Sequence, residues 1–305
     1  MRYSAILAFA TLAASCLSAQ VRYAPDTNAV TIDGKPFTIF HRGDDANKPF
    51  LAPVRSSSGK IVTRGFPMET IAGESRDHLH HRGLWFSFDD VNGVKFWEND
   101  PSYTKGVIGK IAVRDSKWTD GTRAGVLATT NEWKDPKGKT LVVESRDMTF
   151  SGDDKLRTID FHITLTSAED VTYGDTKEGA FAIRLAEPFT ERKGGKITDA
   201  DGRAGMVNVW GKRSNWVNYA AVLDGEALGV AIFDHPGNPR HPTYWHARDY
   251  GLFALNPFGR KSFDPTQEES QWKVPAGQKI EFRWRVLVHA GDASVADLYK
   301  AYSAK

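Results

Sequence analysis

Residues 20–305 read as mainly β: one large antiparallel sandwich of two sheets, closed by a short helix near the C-terminus. Three observations carry this. Apolar residues recur with period two in run after run. Period-3.6 repeats are scarce. Clusters of Gly, Asp and Asn interrupt the runs at short intervals.

The order along the chain supports each element. Residues 1–19 stand apart: Arg2 is a short positive region, Ala5–Ala14 is apolar but too short for a bilayer span, and Leu17-Ser18-Ala19 precedes an expected cleavage point at Gln20. This reads as a signal peptide, so the expected location is periplasmic or secreted. Cys16, in "LAASC", offers lipid anchoring as the minor alternative, although Ala13 stands where a lipidation site usually has Leu. Beyond residue 19 no stretch is long and apolar enough to span a membrane.

Strand signals then follow. "TLVVESRDMTF" is one. In "LRTIDFHITL", Ile159, Phe161, Ile163 and Leu165 share a face, opposite Thr158, Asp160, His162 and Thr164. "YAAVLDG", "LGVAIFD" and "YGLFAL" continue the pattern, the last predicting a strand over 250–255. In "EFRWRVLV", Phe282, Trp284, Val286 and Val288 alternate with Glu281, Arg283 and Arg285. "SGDDK" and "DPKGK" are turns. The helix is "ASVADLYKAYS", with Asp292 as the expected cap, Val295, Leu298, Tyr299 and Tyr302 on one face, and a position suited to a lid over one end of the β body. There are more than ten strands, beyond what a seven-stranded immunoglobulin-like sandwich needs. With no linker or repeat, one domain is expected over 20–305; two stacked β domains are the alternative.

Composition narrows function. Forty basic and 38 acidic residues give a formal net charge of +2, without a basic tract, which argues against a nucleic-acid partner. The single cysteine lies at position 16, so the body has no disulfide, thiol nucleophile or thiolate metal site. Nine Trp, nine Tyr and seventeen Phe supply a β core, with some left to line a sugar-binding cleft.

Polar chemistry concentrates in three segments. In "RDHLHHRGLWFSFDDVNGVKFWEND" (76–100), an extended backbone would point His78 and His80 together and His81 away. H-x-H on a strand suits either a metal pair or a general acid/base with a substrate-orienting neighbour. Asp90, before Asn92-Gly93, either orients a histidine or satisfies the turn. "DHPGNPRHPTYWHARDYGLFALNPFG" (234–259) carries Arg240, His241, Trp245 and His246, with four prolines that make its first half irregular. "GDTKEGAFAIRLAEP" (174–188) offers Glu178 at a turn and Arg184 on the alternate face of an apolar strand, where solvation alone would explain it. Six of nine histidines lie in the first two segments, which predicts that these converge on one site.

These same segments resemble the bacterial family called PmoA-like, also catalogued as a domain of unknown function, over nearly the whole chain after residue 19. Leu79 stands where that family often has Pro, and Phe88 where it often has His. The label refers to a membrane-spanning methane oxygenase subunit, and a β chain without a spanning segment draws no function from it. "DHLHHRG" also resembles the N-H-L-H-G-G stretch of aldose 1-epimerases. That resemblance implies a galactose mutarotase-like supersandwich and chemistry at a sugar's anomeric centre, with His80 at a catalytic position and Arg64 as a substrate clamp.

The expectation is therefore an exported carbohydrate-active protein using histidine acid/base chemistry. His78, His80, His81 and His246 would transfer protons, with Glu178 as carboxylate partner. Arg64, Arg82, Trp85, Asp90, Arg240, His241 and Trp245 would bind a small-molecule or glycan substrate. Isomerisation, hydrolysis and elimination all fit. Two alternatives remain: a metal enzyme using His78 and His80 with His241 or His246, and a non-catalytic carbohydrate-binding protein. The residues specify neither a cofactor nor an oligomeric state.

Overall fold

The computed structural model describes residues 20–121 and 123–304. The signal-peptide and Cys16 expectations therefore lie outside the described residues.

Two eight-stranded sheets form the body, with two small two-stranded sheets beside them. The first sheet runs, in spatial order, Val21–Ala24, Ala29–Ile32, Lys35–His41, Phe50–Leu51, Leu84–Phe88, Gly179–Arg184, Leu252–Asn256, Tyr244–Ala247. The second runs Lys196–Asp199, Trp216–Leu223, Glu226–Asp234, Lys279–Ala290, Leu156–Ser167, Thr140–Gly152, Ala124–Lys134, Lys110–Asp120. Every pairing within these two sheets is antiparallel. The sandwich read from period two is thus present.

Register explains why the alternating runs pack. Phe161 pairs with Trp284, Ile163 with Phe282 and Ile159 with Val286, so two predicted apolar faces fall in one layer. Phe181 and Phe86 of the first sheet meet that layer, with ring centroids 5.0 and 5.7 Å from Trp284 and Phe181 4.7 Å from Phe161. Each such fully buried side chain contributes about 1.5–3 kcal/mol.

The C-terminal helix spans Val295–Ser303, and its cap is Ser294 rather than Asp292: the Ser294 hydroxyl accepts from the Asp297 N–H. The predicted face is correct but its place is not an end of the sandwich. Val295, Leu298, Tyr299 and Tyr302 cover Ala231, Phe233 and Leu287 on the outer face of the second sheet. This also explains the unbroken run Val286–Val288, which is apolar on both faces. The strand expected over 250–255 starts later, at Leu252.

One core feature runs against the alternation rule. Glu144 and Arg146 sit on the inward face of their strand, level with Val142 and Met148, and are 0% and 2% exposed. Glu144 accepts from Arg146 Nε (2.5 Å), Trp133 Nε1 (2.7 Å) and Asn131 Nδ2 (3.1 Å). A buried pair is costly to break singly but replaceable as a unit. Glu144→Leu is therefore expected to lose about 3–5 kcal/mol in urea unfolding, and the double change Glu144→Leu, Arg146→Met to recover most of it. A double variant no more stable than the single would contradict this account.

Candidate functional site

Residues in register across neighbouring strands lie on one face of a sheet. Phe50 faces Trp85, Trp85 faces Ala182, Ala182 faces Ala254 and Ala254 faces His246. This row lies on the outer face of the first sheet, because its chain neighbours Phe86, Phe181, Phe253 and Trp245 belong to the core between the sheets. Trp85, Ala182, Leu252 and Ala254, with Phe50, Ala46, Ala52 and Trp97, make a separate apolar platform on that face, and Tyr250 packs on it.

The histidine segment reaches this platform as a turn, not a strand. The His81 N–H donates to the His78 carbonyl (3.0 Å), His78 takes a left-handed φ of 46°, and the strand begins only at Leu84. The strand-face pairing of His78 with His80 is thereby corrected. The turn instead stacks His78 on His81, with centroids 4.6 Å apart and planes 2° from parallel, and sets His80 edge-on to both. Beneath, His81 stacks on Trp85 (5.3 Å); on the other side, His78 stacks against Tyr250 (5.6 Å).

Asp77 organises the turn. Its Oδ1 accepts from Arg64 Nη1 (2.6 Å) and Arg184 Nη2 (2.8 Å) and stands 3.1 Å from His78 Nδ1. Burial raises its carboxyl pKa, but the hydrogen bond from His78 and the charge of Arg184 outweigh that and hold it well below the usual carboxylate range. Arg64 also donates to the carbonyls of Ser75, Asp77, His78 and His81. It is 2% exposed and spent on the loop, so it positions histidines rather than clamping substrate. Arg184 is not solvated: it is 1% exposed, and its Nη1 donates to His81 Nδ1 (3.1 Å). A guanidinium only donates, so the His81 proton sits on Nε2.

The other expected proton carriers are similarly committed. His80 Nδ1 meets the Tyr103 hydroxyl at 2.9 Å. His246 Nδ1 donates to the Lys177 carbonyl (3.0 Å), which leaves its Nε2 bare. Burial, then nearby cations, lowers the pKa of all three rings: Lys48 acts on His80, Arg184 on His81 and Lys177 on His246, whose value falls to about 3. They are neutral at physiological pH and nearly closed to solvent. His78 differs, with 41% of its side chain exposed.

Four residues in the sequence expectation lie away from this centre. Trp245 points into the core, fully buried, and donates to the Ser214 carbonyl, because its position alternates with that of His246. His241 Nδ1 pairs with Asp234 Oδ2 (2.8 Å), so it joins neither His78 nor His80. Among the described residues no three His, Cys, Asp or Glu side chains are grouped to hold a metal ion. Arg240 lies over Trp272 (4.3 Å). Asp90 adopts φ 61° and accepts from the Gly93 N–H, the turn role. Arg82 pairs with Asp100 (3.0 Å) beside the turn. Trp85 is the platform under His81 rather than an open ring face. Glu178 is ion-paired with its neighbour Lys177, whose carbonyl takes the His246 proton, and the third segment reaches the histidine turn through Arg184.

Several residues escaped the sequence reading. Tyr250 lies beneath both Arg184 (4.6 Å) and Arg248 (5.4 Å), and burial pushes its phenol pKa up. Lys48, wholly buried, donates to the Trp97 carbonyl and Asn99 Oδ1; burial brings its pKa down to about 7. Only Asp77 carried a signal, its place directly before the histidines.

The chain belongs to a family of unknown function, DUF6807, whose model matches residues 27–303. No protein of curated function matches it. Among solved structures it is similar to the GH36 alpha-galactosidase AgaB from Geobacillus stearothermophilus, with 8% identity and a TM-score of 0.46 over 90% of this chain. The alpha-galactosidase from Lactobacillus brevis gives 9% identity and 0.43 over 90%, and a beta-arabinopyranosidase 12% and 0.42 over 89%. The chain spans 41%, 39% and 40% of their lengths, respectively. Likeness at this level says nothing about chemistry.

The buried neutral histidines make stability pH-dependent. A histidine whose pKa falls from 6.5 unfolded to about 3 folded takes up its proton first in the unfolded chain, so acidification below 6.5 favours unfolding. His246→Gln keeps a donor for Lys177 and removes that proton. Urea unfolding between pH 7 and 4.5 is expected to show the wild type losing more stability than the variant, by about 1.4 kcal/mol per pH unit at most. Parallel pH profiles would contradict the buried neutral state of His246.

Proposed function

We propose that the protein is an exported carbohydrate-active enzyme in which His78 is the general base. One observation carries this reading: His78 alone among the clustered histidines is open to solvent, while its Nδ1 side is held by Asp77 and its ring is clamped between His81 and Tyr250. A carboxylate on Nδ1 fixes the neutral tautomer with its proton there and leaves Nε2 free to accept one from substrate. The imidazolium that results is stabilised by Asp77. Tyr250, stacked on the same ring, is the candidate proton donor for the return step. Isomerisation, hydrolysis and elimination on a sugar all consist of such transfers.

Flat apolar rings among hydrogen-bonding groups suit a hydroxylated ring ligand. The likeness of "DHLHHRG" to the epimerase stretch supports the same substrate class, with the catalytic position moved from His80 to His78. A second reading, a carbohydrate-binding protein without turnover, draws on the fact that His80, His81 and His246 are all spent on internal contacts. The periplasmic or secreted location belongs to the proposal as well.

Turnover on a panel of glycans separates these readings. His78→Asn is expected to lower kcat by about 100- to 10,000-fold, leaving ligand binding and the thermal midpoint close to wild type. Chelator is expected to leave the wild-type rate unchanged; loss of activity on chelation, restored by metal, would favour the metal-dependent reading instead. Binding without turnover on every glycan would establish the binding protein. Full activity in His78→Asn would end the general-base proposal.

A further inference from the structure

We infer that a basic groove beside the edge strand Tyr244–Ala247 binds an oxyanion carried on a saccharide, a carboxylate or a sulfate. The groove has a volume of about 770 Å³ and is lined by Arg203, Lys212, Arg213, Arg240 and Arg260, with Asp264 as its only carboxylate. The whole chain carries a formal net charge of +2, so this excess is local.

Of the groove's guanidinium groups, one is answered by carboxylates. Arg203 pairs with Asp199 and Asp201 (2.6 Å each). The other guanidinium groups donate only to neutral acceptors. Arg213 reaches the carbonyls of Pro242 (2.6 Å), Arg240 and His241. Arg240 reaches the carbonyls of Pro257 and Phe258 and the Ser270 hydroxyl (2.8 Å). Arg260 reaches Gln267 Oε1 (3.0 Å). Asp175 lies near, but its oxygens accept four backbone N–H groups, from Arg260, Lys261, Ser262 and Ser270. Arg213 and Arg240 are thus held by backbone carbonyls and Arg260 by the Gln267 side chain, so an arriving anion pays little ordering entropy. Arg240 is held in a left-handed conformation, φ 63°, which a long side chain rarely adopts; such strain gathers at ligand sites.

The saccharide part rests on the proposed carbohydrate site. Tyr244 and His246 share one face of the edge strand. Phe263 joins them: it stacks on Tyr244 (5.4 Å, 6°) and meets His246 edge-on (6.1 Å). Groove and platform therefore share a wall, and one chain of sugar rings running past His246 would put its acidic groups among the arginines.

Calorimetric titration with a galacturonate trisaccharide, its methyl ester, a sulfated galactan trisaccharide and inorganic sulfate tests this. At least one acidic trisaccharide is expected to bind, the ester and inorganic sulfate about tenfold or more weaker, and Arg213→Gln and Arg260→Gln each to weaken binding about tenfold. The acidic sugar that binds identifies the oxyanion. Arg213 also braces 240–242, so thermal melting accompanies both variants; Arg260→Gln gives up only the contact to Gln267. Binding by neither acidic sugar, equal binding by the ester or by free sulfate, or unchanged affinity in a folded Arg260→Gln would overturn the inference. His78→Asn separates the two claims. Turnover of neutral glycans that depends on His78, without acidic binding, removes the groove and keeps the enzyme. Arginine-dependent binding with turnover intact in His78→Asn does the reverse.

Discussion

Two guanidinium groups lie under the histidine turn, and one carboxylate, Asp77, answers both. Burying a single unpaired guanidinium is expensive; burying two within reach of each other is worse. Burial and the neighbouring Arg64 bring the Arg184 pKa down to about 10, yet it stays charged at neutral pH. The arrangement holds because Arg64 fans out over four carbonyls of the turn, while Arg184 spends its ends on Asp77 and His81. The turn cannot move without exposing unsatisfied donors, and the ring of His78 is fixed as a result.

Burial, with nearby cations adding to it, keeps three of the histidines neutral. A positive field with little water leaves the imidazoles neutral, and a neutral imidazole next to a guanidinium has to accept. His81 therefore turns its lone pair to Arg184, and His246, beside a carbonyl, turns its proton inward. Three imidazoles so close together are explained by this division of labour: His81 is the tile between Trp85 and His78, His80 ties the turn to Tyr103, and His78 remains free on its Nε2 side. Clustering in the sequence marked residues that pack together in one turn but could not show which member is free.

What was legible follows from how local each determinant is. Period two was enough for the sandwich, because each strand shows its buried face in its own residues, as "LRTIDFHITL" does. The helix face was legible for the same reason, whereas its cap shifted from Asp292 to Ser294 because two polar candidates stood two residues apart. The extended reading of His78-Leu79-His80 failed because a left-handed residue leaves no periodic trace when it is not glycine. Arg184 was ambiguous for a different reason: alternation places a side chain on a face but does not reveal what covers that face. Glu144 and Arg146 had the opposite difficulty. Their alternation pointed inward, where charges are rarely found, and only the facing Trp133 and Asn131 make that position acceptable.

The location of the histidine turn follows from which outer face is left to loops. On the second sheet, Ala231, Phe233 and Leu287 are apolar outward and the C-terminal helix covers them, so that face is closed by packing. On the first sheet the outward row shrinks to Ala182 and Ala254 at its centre, which leaves height above the backbone without an element to fill it. The histidine turn, Tyr250 and the segment after Gly43 fill it instead, and they carry side chains that hydrogen-bond rather than merely pack. A loop-built cover of this kind contains polar groups that need partners, and those partners come from segments far apart in the chain: Arg184 from a central strand of the sheet, Arg248 from just beyond its edge strand. The convergence of segments some 150 residues apart is therefore a consequence of closing this face without a helix, which brings loops of the kind that commonly carry function together on one face.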